Sequence, residues 1–152
     1  MHVRRGRRED VEAIAAFQVR MAAETEGLKL DEATVRAGVR ASFDGDANGT
    51  YWVAEHDGRP VGCLLILPEW SDWRNGTIWW IHSLYVEPEL RGRGAFRALY
   101  GEVKRLAEAD DAVKGLRLYV ATRNEAARRA YEAVGMEAGR YVVYEWMKDG
   151  QH

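Results

Sequence analysis

Between residues 9 and 23, Val11, Ile14, Ala15, Gln18 and Met21 recur at steps of three and four, the spacing of one helix face. Asp10 stands where an N-cap belongs, and glutamates suit the first-turn dipole. A short strand around Val3 precedes this helix. A second helix is expected from Asp31, an N-cap candidate, to Ser42; Gly38 weakens it by about 1 kcal/mol relative to alanine. The middle of the chain changes period. Residues 51–55 and 60–67 flank His56-Asp57-Gly58-Arg59, and Asp-Gly between two such runs signals a hairpin. Residues 78–86 (IWWIHSLYV) are apolar nearly throughout, as in a central strand covered on both faces. Phe96, Leu99, Val103, Leu106 and Ala107 then share one stripe of a helix over 93–109. A strand is expected at 116–120 (LRLYV), a helix at 124–134 with Gly135 as its C′ residue, and a closing strand at 141–147 (YVVYEWM). Two segments read as loops: 44–50, and 68–77, which carries Trp70 and Trp73. The sum is an α+β chain: helices, a strand meander, then β-α-β-α-β.

The length of 152 residues fits one domain over 1–152. A chain of this size buries about 70% of its unfolded surface, enough for a core with a cleft. The formal charge of −2 argues against bulk electrostatic capture of nucleic acid. Arg4, Arg5, Arg7 and Arg8 read as a solvated face rather than a nucleic-acid patch. Cys63 is the single cysteine, which excludes an intramolecular disulfide and a cysteine-based zinc cage. His2, His56, His82 and His152 are scattered without ligand spacing, so no metal is expected. The first ten residues are polar, and the apolar stretch 61–68 is too short to span a bilayer. The expectation is a cytoplasmic protein with neither a membrane nor a nucleic-acid partner.

The chemistry concentrates in residues 81–100, IHSLYVEPELRGRGAFRALY. A central strand ends near Val86, a short turn follows, and a helix begins after Arg91-Gly92-Arg93-Gly94-Ala95. The first N–H groups of a helix lack intrahelical partners, and its dipole places about half a positive charge there. Gly92 and Gly94 let the backbone approach a ligand closely, and Arg91 and Arg93 add charge. A phosphate or diphosphate is the natural guest. The string is not a P-loop, because Gly-x4-Gly-Lys-Ser/Thr is missing. Nor is it a dinucleotide fingerprint, because Arg97 stands where a third glycine belongs.

This stretch resembles motif A of the GCN5-related N-acetyltransferases, Arg/Gln-x-x-Gly-x-Gly/Ala after the fourth strand. Arg91 fills the first place, Gly94 the fourth and Phe96 the last, where Gly or Ala is usual. Residues 124–136 (NEAARRAYEAVGM) resemble motif B, Asn, a small helix, then Tyr-Glu-x-x-Gly-Phe, with Met136 for Phe. The resemblance covers essentially the whole chain. It implies an α+β fold with a mostly antiparallel mixed sheet of about six to seven strands. That sheet would be splayed between the fourth and fifth strands and flanked by about four helices.

The resemblance also implies acetyl-CoA as co-substrate and transfer of its acetyl group to a primary amine, on a small molecule or a peptide. Main-chain groups of Leu84, Tyr85 and Val86 would bond the pantetheine arm like an added strand. The amides of Arg91, Gly92, Arg93, Gly94, Ala95 and Phe96 would cradle the diphosphate, and Asn124 would hold the arm from the other side. Tyr131 matches the family's general acid, placed to protonate the leaving thiolate. The strand holds no carboxylate, so the candidate base is His82, the one group on it that titrates near pH 7; with an ordinary pKa near 6.5 it could relay a proton directly or through water. Glu87, just past the strand, is the alternative and is expected to face solvent. Ser83 is not a nucleophile, since no Gly-x-Ser-x-Gly elbow surrounds it. Plainer roles stand beside these: His82 as an ordinary strand residue, Tyr131 as helix packing, Asn124 as an N-cap. Trp79 and Trp80 point to opposite faces, one toward helices and one toward an acceptor pocket, with Trp70 and Trp73 at its rim or pinned to the core or a dimer interface. Two other functions fit the same residues, a non-catalytic acyl-CoA sensor and an interaction module using the tryptophan-rich loop. A homodimer is the family-level expectation for assembly.

Overall fold

The computed structural model describes residues 1–151. The chain forms two compact units, Met1–Tyr119 and Val120–His152.

The first unit holds a five-stranded sheet in the order β1-β2-β3-β4-β5. Its strands are β1 (His2–Arg5), β2 (Thr50–His56), β3 (Arg59–Ser71), β4 (Gly76–Val86) and β5 (Val113–Arg117). The first four form an antiparallel meander, and β5 runs parallel to β4. The Asp-Gly signal is realised between β2 and β3: His56 pairs with Arg59, and Asp57 (φ 52°) and Gly58 (φ 76°) both take left-handed conformations, the geometry of a tight two-residue hairpin.

Three helices join this unit: α1 (Val11–Glu26), α2 (Glu32–Asp44) and α3 (Ala95–Ala109). Asp31 caps α2 as expected, its carboxylate accepting from the Thr34 N–H at 2.9 Å. Asp10 does not cap α1 with its side chain. Its carboxylate accepts instead from the Arg7 N–H at 2.7 Å and from Arg4 at 2.7 and 2.8 Å, which ties β1 to the entry of α1. The faces of α1 and α2 bury Ile14, Phe17 and Val39 against Val53, Cys63 and Tyr85 of the sheet. Along α3, Leu99 and Val103 are fully buried. Leu106 and Ala107, expected on the same stripe, are only partly covered.

Two further expectations are corrected. Residues 68–77 are not a loop: the ladder continues through Pro68–Trp79, Trp70–Thr77 and Ser71–Gly76, leaving a turn of four residues, 72–75. Pro68 is tolerated because β2 ends its pairing at Ile66, so the donor that proline lacks is not called upon there. Trp70 and Trp73 are consequently exposed on this hairpin, at 64% and 86%, and not pinned to a core. Second, the described residues hold five strands, not six to seven, because residues 141–147 form no ladder. Tyr144 and Trp146 in that segment are exposed at 93% and 83%. Alternating apolar residues state which face a strand would bury; a ladder also needs a neighbouring strand to receive its N–H and C=O groups.

The second unit carries α4 (Glu125–Ala133), for four helices in all among the described residues. Asn124 caps it, Oδ1 accepting from the Ala127 N–H at 3.1 Å, and Gly135 takes φ 92° just past its end.

Candidate active site

The pairing of β4 changes along its length. Among the described residues β5 pairs with it only from Thr77 to Trp80, while β4 runs on to Val86. The last six residues of β4 therefore present one edge beyond the reach of β5. On the other edge β3 continues, but its register shifts between Cys63 and Leu65. There Ser83 and Leu84 together oppose Leu64, and Ser83 takes φ 54°. This is a β-bulge, which bends a strand and re-aims its groups. The Ser83 carbonyl lies 3.5 Å from Gln18 Nε2 of α1 and 3.5 Å from Cys63 Sγ of β3. Gly62 permits the tight approach of β3 past the bulge, since a Cβ there would stand 2.8 Å from the Tyr85 carbonyl oxygen.

Past the bulge, the Glu87 N–H donates to the Val61 carbonyl at 2.8 Å. Alternation along an antiparallel ladder then directs the N–H and C=O of Val86 to the opposite edge. Tyr85, paired with Cys63, is buried, whereas Leu84 and Val86 are half-buried.

A short 3-10 turn, Pro88–Leu90, and residues 91–94 lead into α3. Gly92 and Gly94 take φ 76° and 89°, the region glycine enters without strain. A Cβ at either would meet nothing within 4 Å, so the space over this turn is open. Gly94 is the N-cap, and the first helical bond runs from the Ala98 N–H to the Gly94 carbonyl at 2.9 Å. The N–H groups of Ala95, Phe96 and Arg97 lie ahead of that bond, at the positive end of a helix of 15 residues. Arg91, Gly92, Arg93 and Gly94 are exposed, and Ala95 is buried. The Phe96 ring is half-buried and stacks on Tyr100, one turn along α3, with centroids 5.9 Å apart.

His82 lies on the same side of β4 as Trp80. Their rings stack 6.1 Å apart at 26°, and Tyr119 meets His82 edge-on at 5.4 Å. Burial lowers the His82 pKa below its ordinary value, favouring the neutral imidazole. Glu87 does not face solvent as expected. Its side chain is only 13% exposed and is held by Arg59 at 2.8 Å and Arg20 at 3.7 Å. Those ion pairs engage both oxygens of the carboxylate.

Asn124 and Tyr131 stand in the second unit. Asn124 is the N-cap of α4, and Tyr131 stands seven positions on, within the helix. Burial raises the Tyr131 pKa and keeps its phenol protonated.

Some participants are invisible to sequence reasoning. Gln18 and Glu24 of α1 reach β4 and the turn beyond it; pairings over more than 60 positions leave no periodic signal. The bulge at Ser83 has no glycine or proline to announce it.

The profile of the acetyltransferase (GNAT) family matches residues 14–136. An uncharacterized N-acetyltransferase of Methanocaldococcus jannaschii is 30% identical over 102 residues, 64% of this chain, and the match spans 43% of that relative's length. A possible acetyltransferase of Clostridium difficile 630 superposes with a TM-score of 0.88 at 36% identity, over 96% of both chains. A predicted acetyltransferase of Clostridium acetobutylicum, solved with acetyl-CoA, shares the fold with a TM-score of 0.77 at 15% identity, over 99% of both chains. With a family match across most of its length and a sheet, bulge and glycine turn arranged in one continuous stretch, this chain belongs to the GNAT acetyltransferase family.

Proposed function

We propose that the protein transfers an acetyl group from acetyl-CoA directly to a primary amine, on a small molecule or a peptide, with both substrates bound together. The observation that carries this reading is the run from the bulge at Ser83, along the edge of β4 beyond the reach of β5, to the glycine turn and the start of α3. The fit to acetyl-CoA rests on two features. A Cβ at Gly92 or Gly94 would meet only open space, and the leading amides of α3 follow directly in the chain, with Arg93 exposed between the two glycines. A diphosphate is the guest such a set of donors suits. The edge of β4 beyond Trp80 suits a pantetheine arm, whose amides can pair with main-chain groups as an added strand does.

The chemistry then has three needs. An ordinary alkyl amine has a pKa near 10.4, so it must lose a proton before attack. His82, kept neutral by burial, is the group assigned to accept it, directly or through water. The amine nitrogen attacks the thioester carbon, and the carbonyl pair moves onto oxygen. The N–H of Val86 or Leu84 is assigned to that oxyanion. The oxyanion collapses, the carbon–sulfur bond breaks, and the thiolate leaves with the electron pair. Tyr131, protonated at neutral pH, is assigned to give it a proton. Asn124 is assigned to the pantetheine arm; its Oδ1 caps α4, which leaves its NH2 group as the donor it would offer.

The test is isothermal titration with acetyl-CoA, followed by thiol-release assays across an amine library. Micromolar binding and release of CoA with at least one amine class are expected. Binding without turnover across the library would instead make the protein an acyl-CoA sensor, and no binding would reject the site altogether. Tyr131→Phe should lower kcat by about 10²-fold while leaving the dissociation constant for acetyl-CoA unchanged. A parallel loss of both would refute the acid assignment.

A further inference from the structure

Arg91, the first residue of the glycine turn, is engaged on three sides. Its Nε–H donates to the Val86 carbonyl at 2.8 Å. A terminal NH2 group donates to Glu24 Oε2 of α1 at 2.7 Å. The guanidinium carbon stands 5.5 Å from the centre of the Tyr85 ring. Tyr85 is itself buried, stacked on Phe17 of α1 at 5.3 Å, and its hydroxyl lies 3.3 Å from Glu24 Oε1. One carboxylate thus spans a buried phenol with one oxygen and the guanidinium with the other. Phe17 and Glu24 are seven positions apart, two turns on the same face of α1, so a single helix face anchors both.

This arrangement changes what Arg91 does. Its backbone belongs to the turn, but its side chain faces the end of β4 and the C-terminal part of α1. The charge is matched by Glu24 and the aromatic face of Tyr85. The Nε–H bond folds the chain back on the strand five residues earlier and fixes where the turn stands relative to Val86. We propose that Glu24 is a positioning residue for the acetyl-CoA site: by holding Arg91 on the Val86 carbonyl, it sets the register between the glycine turn and the edge of β4. The inference rests on reading that turn as the diphosphate site. An exposed ion pair of this kind adds little to fold stability, so its loss is read in ligand affinity and not in melting.

The alternative role for Arg91 is direct contact with the diphosphate, and the two roles separate cleanly. Dissociation constants for acetyl-CoA are measured by titration calorimetry for the wild type, Glu24→Ala, Glu24→Gln, Arg91→Ala and the double alanine variant, each checked for folding by circular dichroism. If Glu24 and Arg91 act as one unit, each single alanine variant weakens binding by about tenfold and the double variant no further. For Glu24→Ala, KM for acetyl-CoA rises accordingly, while kcat at saturating acetyl-CoA stays within about twofold of wild type. Glu24→Gln keeps the side chain's shape and gives a smaller loss in the same direction. If Arg91 grips the diphosphate itself, removing Glu24 releases it, and Glu24→Ala binds as tightly as wild type or tighter. That result, or losses that multiply in the double variant, overturns the proposal. A wild-type protein that binds no acetyl-CoA overturns the reading of the turn and this inference with it; a wild type that binds, with Glu24 variants unaffected, overturns this inference alone.

Discussion

At the scale of single residues, His82 carries the clearest pH signature. Its pKa is lowered by burial, beside Trp80 and Tyr119. Between the lowered value and about 6.5, the unfolded chain binds more protons at this position than the folded one, so folding stability rises with pH in that window. The same shift keeps the imidazole neutral under conditions where an unperturbed histidine would begin to charge. The acid limb of kcat/KM is therefore expected below about pH 6.5, and His82→Gln should abolish that limb and lower kcat by about 10²-fold. A pH-rate profile that His82→Gln leaves unaltered would remove His82 from the proton path. Cys63 contrasts with it. Burial pushes its thiol up to about 12, and its sulfur sits fully enclosed beside Gln18, so it serves packing at the bulge and not chemistry.

At the scale of elements, the site depends on how one strand ends. β4 loses its β5 neighbour after Trp80, kinks at Ser83, and runs directly into the turn that starts α3. Two glycines serve this passage for different physical reasons. Gly94 needs its backbone conformation, with open space where a Cβ would go. Gly62 needs the absence of a Cβ, because the Tyr85 carbonyl lies in the way. Gly94→Ala is expected to cost about 1–2 kcal/mol from the left-handed backbone alone. Gly62→Ala should cost on the order of 1–3 kcal/mol by overpacking and push the end of β4 outward. Urea denaturation measures both costs. Acetyl-CoA titration of the Gly62 variant reads the displacement, as weaker binding than the stability loss alone produces; unchanged affinity would show that the bulge does not set the site.

At the scale of the whole first unit, β1 and α1 are tied by a charge cluster. Arg4 forms a two-pronged contact with Asp10 and a further one with Glu55 of β2. Burial alone would raise the Asp10 pKa, but the Arg4 guanidinium and the Arg7 N–H outweigh it and hold the carboxyl below the usual range. The stability this contributes is present above the unfolded value near 3.9 and is lost as pH falls through the depressed folded value. Asp10→Asn should lose on the order of 2 kcal/mol at neutral pH. The difference from wild type should shrink below about pH 4, as the wild-type carboxyl itself takes a proton. Denaturation curves at pH 7 and pH 3 decide it: an equal gap at both would place the cost in packing and not in charge.

Local chemistry made much of this protein readable from its residues. The Asp57-Gly58 hairpin, the Asp31 and Asn124 caps, the helix stripes and the glycine turn before α3 each depend on neighbours within a few positions, so their signals are written in short stretches. The resemblance to the acetyltransferase family was carried by two such stretches and is matched across residues 14–136. What depended on distant partners was decided only by the tertiary structure. Whether 141–147 forms a ladder depends on a neighbouring strand, and whether 68–71 extends β3 depends on the pairing β4 offers it. Whether Glu87 faces water depends on Arg20 and Arg59 arriving from α1 and β3, and Arg91 meets Glu24 only because α1 lies across β4. The physical reason is common to all four: hydrogen bonds and ion pairs are satisfied by whatever the fold brings within about 3 Å, and nothing in the order of residues states that distance.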